Sequence, residues 1–302
     1  MRRPYSLSKR LLHVLEAAGL LLVLLLARLM PIDWASGLGG WCARQIGPRL
    51  PVSRVGRENL RRAFPGKSLP EVERILVGVW DNLGRYLLEY PHLARIWDYE
   101  EAGGRGRIET PDAAEFTKLR ESGKPAILFS AHLGNWELLP VASARHGLDL
   151  TVLFRPPNNP IAAALLERMR AAAMGDRLST GVHTAIAATE RLERGGRLGM
   201  LVDQHARLGI EVVFFGRRAR TSAMLAKLAR RYGCAVHGAR VERLGGTRFR
   251  LRLTPPLDLP PPVDDSAADA AAVMQRVTTV VEEWVRERPD QWLWLHRRWR
   301  GR

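Results

Sequence analysis

The sequence contains only two cysteines among its 302 residues, Cys42 and Cys234, and they lie far apart. This scarcity excludes a disulfide framework, and no cysteine or histidine group has the close spacing of a zinc site. The chain also lacks a G-x-S-x-G segment, the turn that carries the nucleophile of many serine hydrolases. We therefore expect no structural metal, no bound cofactor and no serine nucleophile of that kind.

Acidic residues are also few. The chain has 31 Asp and Glu against 47 Lys and Arg, which gives a formal net charge of +16. Such a charge favours an anionic partner: a nucleic acid, an anionic membrane surface or an acidic carrier protein. The arginines are scattered and no DNA- or RNA-binding motif is present, so we expect no nucleic acid. A non-catalytic basic protein that binds membranes or nucleic acid remains the distant alternative.

The one long apolar stretch lies at the N-terminus, in residues 11–30, and His13 and Glu16 interrupt it. A spanning helix needs about 20 apolar residues, so we predict a membrane helix in residues 1–30. A cleaved signal peptide and a buried core helix are the alternatives. Both flanks are basic, so the positive-inside rule gives no orientation for a spanning helix. A helix that dips into the inner leaflet, with both ends cytoplasmic, would resolve this conflict.

Two further regions follow. Residues 31–105 are predicted to form a helical layer, in which Trp34, Leu38 and Trp41 have helical spacing and suit either a lipid surface or ordinary packing. Residues 106–302 alternate apolar strands with helices, which predicts an α/β core with a mixed, largely parallel sheet flanked by helices. The predicted strands are 126–131, 150–154, 198–202, 235–241 and 248–253. The predicted helices of the core are 136–146, 161–174, 186–194, 222–232 and 268–288.

The strongest candidate site follows the first of these strands, in the segment from His132 to Glu137. The two residues are five positions apart and would point about 140° away from each other on one continuous helix. They can pair only if His132 lies in a turn, which Gly134 makes easy, and Glu137 lies in the first helical turn. His132 could then act as a general base, with Glu137 orienting its imidazole. The alternative is that both residues serve only the helix terminus.

This segment resembles the H-x4-E signature of the glycerolipid acyltransferase superfamily. Within that superfamily the chain resembles the bacterial lipid A late acyltransferases, the lauroyl/myristoyl acyltransferase family. H-x4-E alone is weak, but further family segments occur in the same order along most of the chain. They are ENLRRAFP at 58–65, NLGR at 82–85 with Glu89, FRPPNNP at 154–160, VDQ at 202–204, FFGR at 214–217 with Thr221, and QWLWLHRRW at 291–299.

The resemblance implies that His132 and Glu137 are catalytic and that several other residues bind substrate. Arg155 could clamp a phosphate or carboxylate, and Arg217 could meet headgroup phosphates. Asp203 and Gln204 could bind sugar hydroxyls or support the loop of the site. Asn135 could donate to the acyl carbonyl or cap a helix.

The C-terminal segment is expected to be structural. Trp292 and Trp294 would pack on the core while Arg297 and Arg298 stay in solvent.

The resemblance also implies the reaction. The donor would be an acyl thioester of acyl carrier protein or CoA, and a +16 protein would attract an acidic carrier protein. The acceptor would be a lipid A precursor, a phosphorylated glycolipid, at the bacterial inner membrane, with the catalytic domain on the cytoplasmic face. Related enzymes acylate lysophospholipids, ornithine lipids or phosphatidylinositol mannosides, and these acceptors remain alternatives.

Overall fold

The computed structural model describes residues 6–99, 106–171, 173–179 and 184–299. The helical layer predicted after the N-terminal helix is present. The N-terminal helix is α1 (Leu7–Leu29), and the layer contains α2 (Ile32–Ile46), α3 (Ser53–Ala63), α4 (Leu69–Glu89) and the short α5 (Leu93–Ile96). The predicted boundary with the α/β core, at residue 105, lies outside the described residues.

Close packing of α2 on α4 organises this layer. A Cβ atom on Gly39 would lie 2.3 Å from the carbonyl oxygen of Gly84, so only glycine allows the two backbones to approach this closely. A capping box begins α4, with Glu71 accepting a 2.8 Å hydrogen bond from the backbone N–H of Ser68. The layer therefore forms a fixed platform beside the core.

A mixed sheet of seven strands forms the core, as predicted. Its order is β1-β9-β8-β2-β5-β3-β4, and every neighbouring pair is parallel except β8 and β9. The five predicted strands are confirmed as β2 (Ala126–Ser130), β3 (Leu150–Phe154), β5 (Arg197–Leu201), β8 (Ala235–Gly245) and β9 (Arg248–Leu253). The sequence did not predict β1 (Ile108–Glu109), β4 (Arg177–Ser179) or a separate hairpin of β6 (Ile210–Phe214) and β7 (Arg217–Thr221).

Helices cover the sheet and supply most of the remaining core. They are α6 (Ala113–Glu121), α7 (Leu138–Arg145), α8 (Pro160–Ala171), α9 (Thr184–Glu193), α10 (Met224–Tyr232) and α11 (Ser266–Glu287). The longest, α11, packs its buried Val277, Val281 and Trp284 into the main apolar cluster. All five helices predicted in the core are present within a few residues of their predicted ends.

The C-terminal segment returns to the centre of the molecule. Trp292 and Trp294 are fully buried, as predicted. Arg298 was expected in solvent, and this prediction is wrong because Arg298 is 1% exposed. Its guanidinium donates a 2.6 Å hydrogen bond to the carbonyl oxygen of Arg220 and lies 5.3 Å from the ring centroid of Phe214. Burial lowers the pKa of Arg298 to about 10.

Candidate active site

Three neighbouring parallel strands end at the same edge of the sheet and place the candidate residues there. His132 follows β2, Asp203 and Gln204 follow β5, and Arg155 follows β3. The pairing of β2 with β5 continues beyond the strands, since the N–H of Val202 donates to the carbonyl oxygen of Ser130 at 3.0 Å. This register brings the residues after both strands side by side, where open α/β sheets bind their ligands.

His132 is held by Asp203. Its Nδ1 lies 2.8 Å from Asp203 Oδ1, and its backbone N–H donates to Asp203 Oδ2 at 2.9 Å. The indole Nε1 of Trp292 also donates to Oδ2, at 2.7 Å. The carboxylate is thus fixed by three hydrogen bonds, and it fixes the position of the imidazole in turn.

Asp203 stays ionised in this setting. The residue is 3% exposed, and burial by itself disfavours a charged carboxylate. The nearby imidazole of His132 and its hydrogen bonds outweigh burial and hold the pKa of Asp203 below its ordinary value. A carboxylate can only accept hydrogen bonds, so Nδ1 of His132 carries the proton.

The other imidazole nitrogen meets a second polar group. Nε2 of His132 lies 3.3 Å from the side-chain nitrogen of Gln204, and both residues line the same cavity. In the neutral imidazole with its proton on Nδ1, Nε2 is the acceptor that faces the Gln204 amide. This is the tautomer that a general base requires.

The turn after β2 has the form that the sequence predicted. His132 lies in the turn, Gly134 has φ +57°, and Glu137 stands at the N-terminal boundary of α7. The C-terminal segment fixes the turn from the other side. The N–H of Leu293 donates to the carbonyl oxygen of His132 at 3.1 Å, and the N–H of Gly134 donates to that of Gln291 at 3.2 Å.

Glu137 has partners other than His132. It is 4% exposed, and its Oε1 accepts hydrogen bonds from the Tyr86 hydroxyl at 3.0 Å and from Arg170 at 2.5 Å. Burial opposes the charge on Arg170, but Glu137 outweighs it and raises the pKa of Arg170. The contact with Nδ1 of His132 that was predicted for Glu137 is made by Asp203 instead, because Asp203 follows the strand adjacent to β2.

The ring of Trp136 packs against both His132 and Tyr86, the partner of Glu137. Its centroid lies 5.0 Å from that of His132 and 4.2 Å from that of the stacked ring of Tyr86. Aromatic packing thus joins the His132–Asp203 pair to the Glu137–Arg170 pair.

A buried polar network supports the turn from the helical layer. Glu89 is fully buried and accepts hydrogen bonds from Arg243 and, at 2.8 Å, from Asn135. Asn82 accepts from Arg243 at 2.9 Å and donates to the carbonyl oxygen of Gly134 at 3.0 Å. The side chain of Asn135 therefore points into this network and is fully buried.

A cavity of about 840 Å³ opens beside His132. Its walls include His132, Trp136, Glu137, Arg155, Arg170 and Gln204. Many of the other lining side chains are apolar. The apolar wall includes Leu128, Leu139, Leu150, Val152, Ala239, Leu251 and Leu253. One cavity therefore joins a polar group of residues at the sheet edge to a long apolar lining.

The structure brings some of the predicted binding residues to this cavity and leaves others outside. Arg155 and Gln204 line it together with His132 and Glu137, whereas Asn135 and Asp203 are buried behind its wall. Arg217 lies in a second, basic cleft against α3, where its Nε donates to the carbonyl oxygen of Arg62 at 3.2 Å.

Comparison with known proteins matches this arrangement to a family. A family model described as bacterial lipid A biosynthesis acyltransferase matches residues 6–301. The chain belongs to this family. The lipid A biosynthesis palmitoleoyltransferase of Escherichia coli (strain K12) is 23% identical to it over 254 residues, which cover 82% of this chain and 78% of the relative. A lipid A biosynthesis acyltransferase of Shigella flexneri matches with the same identity and coverage.

Membership in the lipid A acyltransferase family confirms the resemblance drawn from the segments and identifies the chain as an acyltransferase enzyme. Two residues of this acyltransferase's cavity were missed from the sequence, Arg170 and Tyr86. Arg170 lies in the last turn of α8 among other arginines, and Tyr86 lies within α4. Their sequence signals are positional: Tyr86 directly follows the NLGR segment, and α8 begins in the FRPPNNP segment.

Proposed function

We propose that the protein transfers a fatty acyl chain from an acyl thioester to a hydroxyl of a lipid A precursor, with His132 as the general base. The observation that carries this proposal is the 2.8 Å contact between Nδ1 of His132 and the buried carboxylate of Asp203. Asp203 holds the proton on Nδ1, and Nε2 is left as an acceptor on a cavity whose remaining lining is largely apolar.

The reaction needs one base and no covalent enzyme intermediate. Nε2 of His132 takes the proton of the acceptor hydroxyl while its oxygen attacks the thioester carbonyl carbon. The tetrahedral intermediate collapses with cleavage of the C–S bond, and the imidazolium returns the proton to the departing thiolate. Asp203 stabilises the imidazolium that exists between these steps.

We assign Glu137 a role through Arg170. Their ion pair is largely buried and lies on the cavity wall, and Arg155 lines the same cavity. The Arg170 guanidinium donates one hydrogen bond to Glu137 and also faces Tyr90, and we assign its remaining N–H groups to an anionic group of a substrate. Glu137 thereby belongs to the catalytic site as the residue that positions a cation.

The apolar part of the cavity is assigned to the acyl chain. Leucine and valine side chains from β2, β3 and β9 line it, and such a surface suits an alkyl chain rather than a sugar. Acyl carrier protein and CoA both remain candidate carriers of the thioester. The acceptor hydroxyl belongs to lipid A in this proposal, with a lysophospholipid, an ornithine lipid or a phosphatidylinositol mannoside as the alternatives.

We place the reaction at the inner membrane, with the cavity on its cytoplasmic face. The support is α1, which is 23 residues long and apolar enough to cross a membrane by length and composition. Acyl thioesters of carrier protein and CoA are cytoplasmic molecules, which favours this face.

The test is acyl transfer by the purified protein in detergent, with acyl carrier protein and CoA thioesters offered separately to a lipid A precursor. His132→Ala should lower the transfer rate by about 10²–10⁴-fold, the usual contribution of a general base. The melting temperature of the variant is the control for folding, because the His132 ring packs on Trp136 and bonds to the buried Asp203. Equal rates for the variant and the wild type would overturn the proposal.

A further inference from the structure

α1 buries only a narrow stripe against the rest of the protein. His13, Ala17, Leu24 and Ala27 face inward, and most of the other side chains are exposed. The exposed apolar side chains are Leu7, Leu11, Leu12, Val14, Leu15, Leu21, Leu22, Val23, Leu25, Leu26 and Leu29. An apolar surface of this extent on a helix is typical of contact with lipid.

α2 adds a second row of large apolar side chains to the surface. Trp34 is 73% exposed, Leu38 43% and Trp41 55%, and their spacing places them on one face of the helix. The opposite face, with Ala35, Gly39 and Gly40, is buried against α4. Only Met30 and Pro31 separate the two helices, so the two sets of exposed apolar side chains follow each other directly along the chain.

Exposed cations flank this surface. Arg10 and Arg28 on α1 and Arg49 after α2 are exposed and form no ion pair with another described residue. Tryptophan favours the headgroup level of a bilayer, and arginine there meets anionic headgroups. Apolar side chains bordered by tryptophan and arginine therefore match an anionic bilayer better than they match a protein partner.

The residues of the inward stripe hold α1 against the rest of the enzyme at two points. Asn159, directly before α8, donates to the carbonyl oxygen of His13 at 2.9 Å, and His92 bonds to that of Ala27 at 2.8 Å. These two anchors are 14 residues apart, or about 21 Å along the helix. That is a large part of the roughly 30 Å hydrocarbon core of a membrane.

Because α1 is held to the enzyme over this length, the elements packed against it would enter the membrane with it if α1 crossed the bilayer. α8, which carries Glu167, Arg168 and Arg170, packs along α1. A perpendicular α1 would carry these charged groups into the hydrocarbon, where charged side chains are strongly disfavoured. A helix that lies flat immerses only its outer surface.

We propose that α1 lies in the plane of the membrane and that α1 and α2 together form one immersed surface against an anionic bilayer. The segment Arg155–Asn158 lines the cavity, and the next residue, Asn159, is bonded to α1. The cavity wall is therefore attached to the immersed helix. A lipid acceptor can reach the site sideways from the leaflet, with its acyl chains still in the membrane.

Label depth along α1 tests this proposal. Single cysteines replace Leu11, Leu15, Leu22 and Leu26, which share the outward face, in a Cys42→Ser, Cys234→Ala background. Each variant carries a nitroxide, and its depth in anionic phospholipid vesicles is read from collisions with oxygen and with a water-soluble nickel complex. Leu38→Cys reports on α2, and Leu208→Cys, whose parent residue is 91% exposed in the loop before β6, is the control.

We expect one depth, within a few ångströms, for all four α1 labels, lipid contact for the α2 label, and water contact for the control. A spanning helix would instead place Leu11 and Leu26 about 22 Å apart along the membrane normal, which would overturn the proposal. An α2 label in water, or one shielded from both reagents by a protein partner, would remove α2 from the immersed surface. Label depth does not depend on turnover, so this outcome is separate from that of the proposed reaction.

Discussion

At the scale of single residues, the proposed chemistry depends on which group accepts the hydrogen bond from Nδ1 of His132. Asp203 does so from a buried position that three hydrogen bonds fix, while Glu137 bonds to Tyr86 and Arg170. In the proposed reaction the two carboxylates therefore have different functions. One positions the base, and the other positions a cation on the cavity wall.

Asp203→Asn separates these functions. The amide can donate to Nδ1, which moves the proton to Nε2 and removes the base, so we expect kcat to fall about 10²–10⁴-fold with KM nearly unchanged. Glu137→Gln should mainly raise KM, because it loosens Arg170 rather than His132. Initial rates of both purified variants test this prediction, with melting temperatures as a control because Asp203 also holds Trp292. A normal kcat for Asp203→Asn and a collapsed kcat for Glu137→Gln would make Glu137 the partner of His132.

The sequence revealed the residue types of the site but not all of their pairings. His132, Glu137, Arg155 and Gln204 were predicted and do line the cavity. The role proposed for Asp203 depends on β5 lying next to β2, although β3 and β4 lie between them along the chain. A single sequence does not give the order of strands in a sheet, so the histidine was paired with the nearest carboxylate along the chain.

At the scale of elements, the turn between β2 and α7 is held by close backbone packing. Gly134 has a positive φ, and a Cβ atom there would lie 2.6 Å from the carbonyl oxygen of Val241. The turn can accept a side chain only if β8 moves, and the His132 backbone would move with it. Gly147, in the turn after α7, has a similar φ of +68° but open space around its Cβ position.

This contrast gives a matched pair of variants. Gly147→Ala should cost only the left-handed conformation, about 1–2 kcal/mol. Gly134→Ala should cost more, because it adds the clash, and it should also lower kcat by displacing His132. Urea unfolding and initial rates measure the two effects. If Gly134→Ala were no more harmful than Gly147→Ala in both assays, the turn would not position the base.

Elements with strong local signals were predicted well. The apolar runs of β2, β3 and β5 and the capping box of α4 depend on neighbouring residues. The β6–β7 hairpin was not predicted, because Arg217, Arg218 and Arg220 give β7 the composition of a polar loop. Its turn has Phe215 at φ +53°, a conformation that the sequence does not suggest, and the Phe215 ring is held by Trp294 and Phe64.

At the scale of the whole molecule, the cavity runs between the sheet and its covering helices, so its length depends on residues distant in sequence. Ala239 on β8 lines the apolar part together with Leu128 and Leu253. A larger side chain at this position would shorten the space for an alkyl chain without touching His132.

Ala239→Phe should therefore shift the preference to shorter acyl donors. We expect the rate with the longest donor accepted by the wild type to fall about 10-fold or more, as for a pocket that excludes a few methylenes. The rate with a shorter donor should stay near that of the wild type. This shorter donor is the control for general loss of activity. Competition between thioesters of different lengths measures the shift, and an unchanged length profile would place the acyl chain elsewhere.

The central claim is that this protein acylates a lipid A precursor with His132 as the general base. The measurement that tests it most directly is mass spectrometry of membrane lipids from cells without the protein, with the wild type, and with His132→Ala at equal abundance. The account predicts one lipid A species that gains the mass of a single acyl chain only with the wild type. An unchanged lipid profile, or full rescue by His132→Ala, would contradict it.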